Sequence, residues 1–110
     1  MCTQRDAIRI MREAKERCGI FIPIKEAYLY GSYARGDFHP ESDVDILITA
    51  DIRPEDISKY RGQIAAITSE LSLENDVTVS VTVKPEEQFR RFSEAMPFYR
   101  NVKAEGIRYA

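Results

Sequence analysis

Between Leu29 and Ile48 an apolar run stops at Gly31-Ser32, and ten residues later a second run opens on the Asp-x-Asp pair Asp43 and Asp45. No other stretch restricts the fold as tightly. An apolar strand ending in Gly-Ser, followed by a short helix-compatible segment, offers backbone N–H groups and a hydroxyl where the local field favours an anion. In a strand, residues two apart point to the same face, so Asp43 and Asp45 project together while Val44, Ile46 and Ile48 go to the other side. Two neighbouring carboxylates repel unless a cation lies between them. A divalent ion does this best, and Mg²⁺ commonly takes one or two protein carboxylates together with substrate phosphates. Gly31 and Ser32 are thus candidates for holding phosphates, and Asp43 and Asp45 for holding metal.

The rest of the chain reads as helices and strands around this segment. Ala7, Ile10, Met11, Ala14 and Cys18 recur at three- and four-residue steps, predicting a helix from Thr3 to about Cys18 that Gly19 stops. A strand is expected over Ile24 to Tyr30, a helical turn over Ser32 to Arg35, a loop over Asp37 to Ser42 and a second strand over Asp43 to Thr49. Pro54, with Glu55 and Asp56 behind it, marks a helix entry, and Ile57, Tyr60, Ile64, Ile67 and Leu71 form a stripe expected to cover one sheet face. From Asp76 to Val83 polar residues alternate with valines, which predicts a strand with Val77, Val79, Val81 and Val83 on one face and Asp76, Thr78, Ser80 and Thr82 on the other. Pro85-Glu86-Glu87 starts a short helix carrying Phe89 and Phe92. The tail from Met96 is apolar enough to dock, and if Phe98 and Tyr99 are exposed it suits self-association as a homo-oligomer.

At 110 residues the chain is expected to form one small domain, residues 1–110, with no room for a separate substrate domain. No apolar run is long enough to span a bilayer, and the basic N-terminus lacks a secretory core, so a cytoplasmic location is expected. Cys2 and Cys18 read as ordinary thiols and His39 as a surface residue. Net charge is −2, but Asp37, Glu41, Asp43, Asp45, Asp51, Glu55 and Asp56 are crowded into twenty residues that hold one base, Arg53. Direct binding to nucleic acid is therefore not expected.

Gly31-Ser32, Ala34-Arg35-Gly36 and Ser42-Asp43-x-Asp45 together resemble the nucleotidyltransferases of the DNA polymerase beta superfamily, above all the small bacterial minimal nucleotidyltransferases. By residue frequencies, the Gly-Ser and Asp-x-Asp pairs at this spacing arise by chance in roughly one chain in a thousand of this length. The resemblance implies an α/β (α+β) fold with helices packed on a small mixed sheet. It also implies Mg²⁺-dependent transfer of a nucleoside monophosphate, AMP from ATP, to a hydroxyl. Asp43 and Asp45 would then bridge two Mg²⁺ ions roughly 3.5–4 Å apart. Gly31 would admit the triphosphate and Ser32 would bind its β or γ phosphate, while Arg35 would either neutralise phosphate charge or pair with Asp37. Ser42 would orient the turn or touch phosphate. Tyr28, Tyr30 and Tyr33 are read as packing aromatics, with stacking on a base as the alternative.

Active members usually carry a third carboxylate on a neighbouring strand. Asp76 is taken as that residue, yet Ser80 holds the position if the strand is aligned through Val79-x-Val81. The two are roughly 13 Å apart along an extended strand, so they exclude one another. The resemblance further implies a helical HEPN-family toxin as protein partner, adenylylated by the transferase acting as antitoxin. Two other readings stand beside it. One is a non-catalytic module that masks its partner, and the other is a small-molecule transferase of the antibiotic-modifying kind.

Overall fold

Thr3 opens the first helix with a reciprocal cap. Its hydroxyl accepts from the Asp6 N–H at 3.1 Å, and its own N–H donates to the Asp6 carboxylate at 3.0 Å. The computed structural model describes residues 2–109. In chain order these form α1 (Gln4–Cys18), β1 (Ile24–Tyr30), α2 (Ser32–Arg35), β2 (Val44–Ala50), a 3₁₀ segment (Pro54–Tyr60), α3 (Arg61–Asn75), β3 (Val79–Pro85), α4 (Glu86–Phe92), α5 (Pro97–Glu105) and β4 (Ile107–Tyr109). The expected mixed α+β class is what forms. Its four-stranded sheet has the order β3-β2-β1-β4, with β1 antiparallel to both neighbours and β2 parallel to β3.

Alternation along the strands divides the sheet into two unlike faces. Ala27 and Leu29 of β1, Val44, Ile46 and Ile48 of β2, and Val79 and Val83 of β3 are buried in one cluster with Ala7, Ile10 and Ala14 of α1 and Ile67 and Leu71 of α3. The opposite face is apolar only in its middle, where Tyr28 and Leu47 meet Phe89 of α4 and Tyr99 and Val102 of α5. Toward the start of β2 this second face turns polar, carrying Asp45 and its register partners Tyr30 and Ser80.

Four expectations need correction. The helix foreseen from Pro54 is two pieces, a 3₁₀ segment whose residues are none of them buried and then α3, which carries the buried Ile67 and Leu71. Tyr60 packs on Phe21 with ring centroids 5.8 Å apart. The third strand starts at Val79 rather than Asp76. Asp76 ends α3 in the left-handed region at φ 50°, ψ 44°, its N–H donating to the Ser72 carbonyl, so the turn off the helix consumes Asp76 to Thr78. Tyr99 is buried rather than exposed, which removes half of the apolar tail invoked for self-association. The tail also adds a strand that the sequence did not announce, with Ile107, Arg108 and Tyr109 pairing with Leu29, Tyr28 and Ala27. Among the described residues no helix is long and apolar enough to cross a membrane.

Candidate active site

Gly31 leaves β1 at φ 77°, ψ −157°, a region that is essentially closed to side-chain-bearing residues. A second constraint bears on the same atom. A Cβ placed there would lie 2.5 Å from Asp45 Oδ2, so the carboxylate of β2 sits directly over the glycine. Ser32 follows as the first residue of α2, and the Gly31 carbonyl accepts from the N–H groups of Ala34 and Arg35, both at 3.1 Å. The Gly-Ser turn and the Asp-x-Asp pair, separated by a loop in sequence, are thereby brought face to face.

Asp43 stands immediately before β2, exposed, and Asp45 is half-buried within it. Burial raises the Asp45 carboxyl above its ordinary value of 3.8, and the Asp43 charge raises it further, while Arg35 draws it back. The three groups are therefore within electrostatic reach of one another. Two carboxylates, one of them half-buried and disfavoured by the other, form a donor set that suits a hard divalent cation bringing phosphate oxygens of its own.

Arg35 is held from two sides. Its guanidinium lies 3.2 Å from Asp37 and 3.6 Å from Glu105 at the end of α5, so of the two readings of this residue the pairing with Asp37 forms. The Glu105 link had no signal in the sequence, because it joins segments seventy residues apart. These pairs are solvent-exposed and contribute little to stability. Arg35→Ala is accordingly expected to leave thermal unfolding almost unchanged, so a fall in nucleotide affinity of about tenfold, measured by titration, would report lost phosphate contact.

Ser42 has a defined local task. Its hydroxyl accepts from the His39 N–H at 2.9 Å and its N–H donates to the His39 carbonyl at 2.9 Å, closing the loop that delivers Asp43. The His39 ring is also engaged, its Nδ1 accepting from the Glu41 N–H at 3.2 Å. Tyr33 is buried and stacks on Phe38 with centroids 4.4 Å apart, and burial pushes its phenol up to about 12. Tyr28 belongs to the apolar middle of the second face. Tyr30 alone of the three borders the carboxylates. Its register partner is Asp45, Phe98 packs edge-on against its ring at 5.4 Å, and burial, followed by the Asp45 charge, raises its phenol.

Asp76 does not join this group. It caps α3 on the surface, lining a cleft with Cys2, Asp6, Arg9, Glu74 and Asn75. The residue that β3 sets beside Asp45 is Ser80. Among the described residues no cluster of three His, Cys, Asp or Glu side chains is arranged to hold a metal. A groove of about 510 Å³ between Ala50–Pro54 and Pro85–Phe92 lies at the opposite end of β2 and shares no residue with the site.

Comparison with known proteins places the chain in a family. The profile described as "Nucleotidyltransferase domain" matches residues 9–108. Two proteins of Methanocaldococcus jannaschii, each named "Putative protein adenylyltransferase", are similar. One is 37% identical over 83 residues, covering 76% of this chain and 75% of its own length. The other is 38% identical over 77 residues, covering 68% and 76%. Among solved structures, a toxin–antitoxin with AMP-PNP superposes with a TM-score of 0.57 at 20% identity, over 97% of this chain and 72% of that one. A mutant of the toxin–antitoxin MntA–HpeT superposes with a TM-score of 0.55 at 19% identity, over 100% and 73%. At such identities these two structures speak for the fold alone. The extent of the profile match, together with the two curated relatives, makes this chain a member of the nucleotidyltransferase domain family.

Proposed function

We propose that the chain transfers AMP from ATP, with Mg²⁺, to a hydroxyl on a partner protein in the cytoplasm. The observation that carries this reading is the approach of the Asp45 carboxylate to Gly31, which puts candidate metal ligands and a candidate phosphate cradle within one ion's reach. Gly31 leaves room for the triphosphate against the backbone, and Ser32 offers its hydroxyl and N–H to a phosphate. Arg35, steadied by Asp37 and Glu105, places positive charge at the edge of the same volume. Asp43 and Asp45 hold the cation, and Ser42 acts through the loop it closes. Asp76 has no part in the proposal, since it caps a helix elsewhere. Bound Mg²⁺ would supply neutralisation of the phosphate oxygens as charge passes to the leaving pyrophosphate.

The names of the two archaeal relatives favour a protein acceptor, and the toxin–antitoxin neighbours favour a toxin as that acceptor. The partner proposed is a HEPN-type toxin, with this chain as its antitoxin. Incubation with radiolabelled ATP, Mg²⁺ and the protein encoded by the adjacent gene should label that protein, and Asp43→Ala should remove the label.

A second reading draws on Ser80 standing beside Asp45 without a third carboxylate. In it the same surface masks the partner without chemistry. Stable complex formation with no transfer of label, unaffected by Asp43→Ala, would select it. Labelling of an aminoglycoside in the absence of any protein would instead indicate a small-molecule transferase.

A further inference from the structure

The two residues that flank Asp45 across the sheet are Tyr30 on β1 and Ser80 on β3. Neither a phenol nor an alcohol offers an anionic oxygen at neutral pH. The next residue on the same face of β3 is Thr82, also uncharged, which pairs with Leu47. Across the sheet Asp45 thus has no third anionic neighbour, and the carboxylates of Asp37 and Glu105 are engaged by Arg35, in keeping with the lack of a three-residue metal cluster among the described residues.

Two carboxylates suffice for one Mg²⁺ whose other ligands are phosphate oxygens and water. A second ion sharing the same pair meets no additional anion to offset its charge, and depends on whatever oxygen the acceptor brings. We propose that Ser80 limits the site to one firmly held divalent ion, the one that enters with the nucleotide, and that the acceptor must supply a further oxygen ligand before a second is retained. The inference rests on the nucleotidyltransferase reading above and deepens it. It separates grip on the nucleotide, which the chain achieves alone, from competence to transfer, which waits for the acceptor. Water arriving by itself then makes a poor acceptor, and ATP is not hydrolysed idly.

Mn²⁺ serves as the probe, its binding followed by electron paramagnetic resonance in the presence of α,β-methylene-ATP, with the analogue alone as reference. Wild type is expected to retain about one ion per chain, and Ser80→Asp about two, the second tightened by at least the roughly tenfold that even outer-shell partners contribute to metal affinity. Ser80→Ala should match wild type, since the hydroxyl is not the ligand that matters. Thr82→Asp, a register step away, should also remain at one. Two firmly bound ions on wild type would overturn the proposal, as would a Ser80→Asp chain with native circular dichroism that still holds one. The wild-type stoichiometry decides even if the variant does not fold. Failure of the analogue itself to bind, seen with a fluorescent derivative, would remove the underlying reading as well, and so is told apart from failure of this inference.

Discussion

Asp45→Asn is expected to lower label transfer by about a thousandfold or more while leaving the fold intact, because it removes half of the anionic pair that would hold the metal. The same substitution should raise the melting temperature at neutral pH. Burial and the Asp43 charge lift the Asp45 carboxyl above 3.8, so the folded chain binds that proton more tightly than the unfolded chain does. The stability this contributes is fully present below the unfolded value and is lost as pH rises through the raised folded one. Near pH 7 wild type therefore carries an ionised, half-buried carboxylate that asparagine does not. Melting curves should show the variant ahead at pH 7 and the difference shrinking toward pH 4. A variant less stable than wild type at pH 7 would contradict the electrostatic account, whatever happens to activity.

Gly31→Ala is the second large effect, and its two components are separable. A methyl group must adopt φ 77°, ψ −157° and must also displace the Asp45 carboxylate from 2.5 Å. The backbone strain alone is expected to cost about 1–3 kcal/mol in denaturant unfolding. Moving the carboxylate by about an ångström should reduce transfer roughly a hundredfold beyond what lost stability explains. Gly36 supplies the comparison. It also has positive φ, at 89°, but a Cβ there meets nothing within 4 Å. Gly36→Ala should show the strain without the displacement, losing stability while retaining most of the activity. Equal loss of activity in both variants would mean that the closeness of Gly31 to Asp45 is incidental.

The parts of the fold legible in the sequence are those whose signal is local. The three- and four-residue spacing of Ala7, Ile10, Met11, Ala14 and Cys18 needs no tertiary partner to be read, and α1 follows it. The alternation of Val79, Val81 and Val83 likewise faces the α1–α3 side, which leaves Ser80 and Thr82 with Asp45. What escaped was decided by competition or by distance. Asp76, Val77 and Thr78 continue the two-residue pattern, but they fall within the exit from α3, where the Ser72 carbonyl accepts from the Asp76 and Val77 N–H groups and the Ser72 hydroxyl from that of Val79. Capping of a fifteen-residue helix outweighed three more residues of strand. The strand β4 is three residues long, too short to carry a periodicity, and pairs with a segment about eighty residues earlier.

The site was legible for the same reason, and only in part. Gly31, Ser32, Asp43 and Asp45 belong to consecutive elements, so their convergence needs one turn and one antiparallel pairing. The neighbour of Asp45 on its other side depends on register with β3, which follows a long crossover through α3, and spacing alone left Asp76 and Ser80 both open.

That single parallel pairing divides the labour of the molecule unevenly. Everything proposed to grip the nucleotide is encoded in one uninterrupted stretch from Gly31 to Asp45, whereas its neighbours Ser80 of β3 and Phe98 of α5 come from far along the chain. Substitution at Ser80 or Phe98 can thus reshape one flank of the candidate site while every residue proposed to hold the triphosphate stays in place, which makes this scaffold adaptable on one side and constrained on the other.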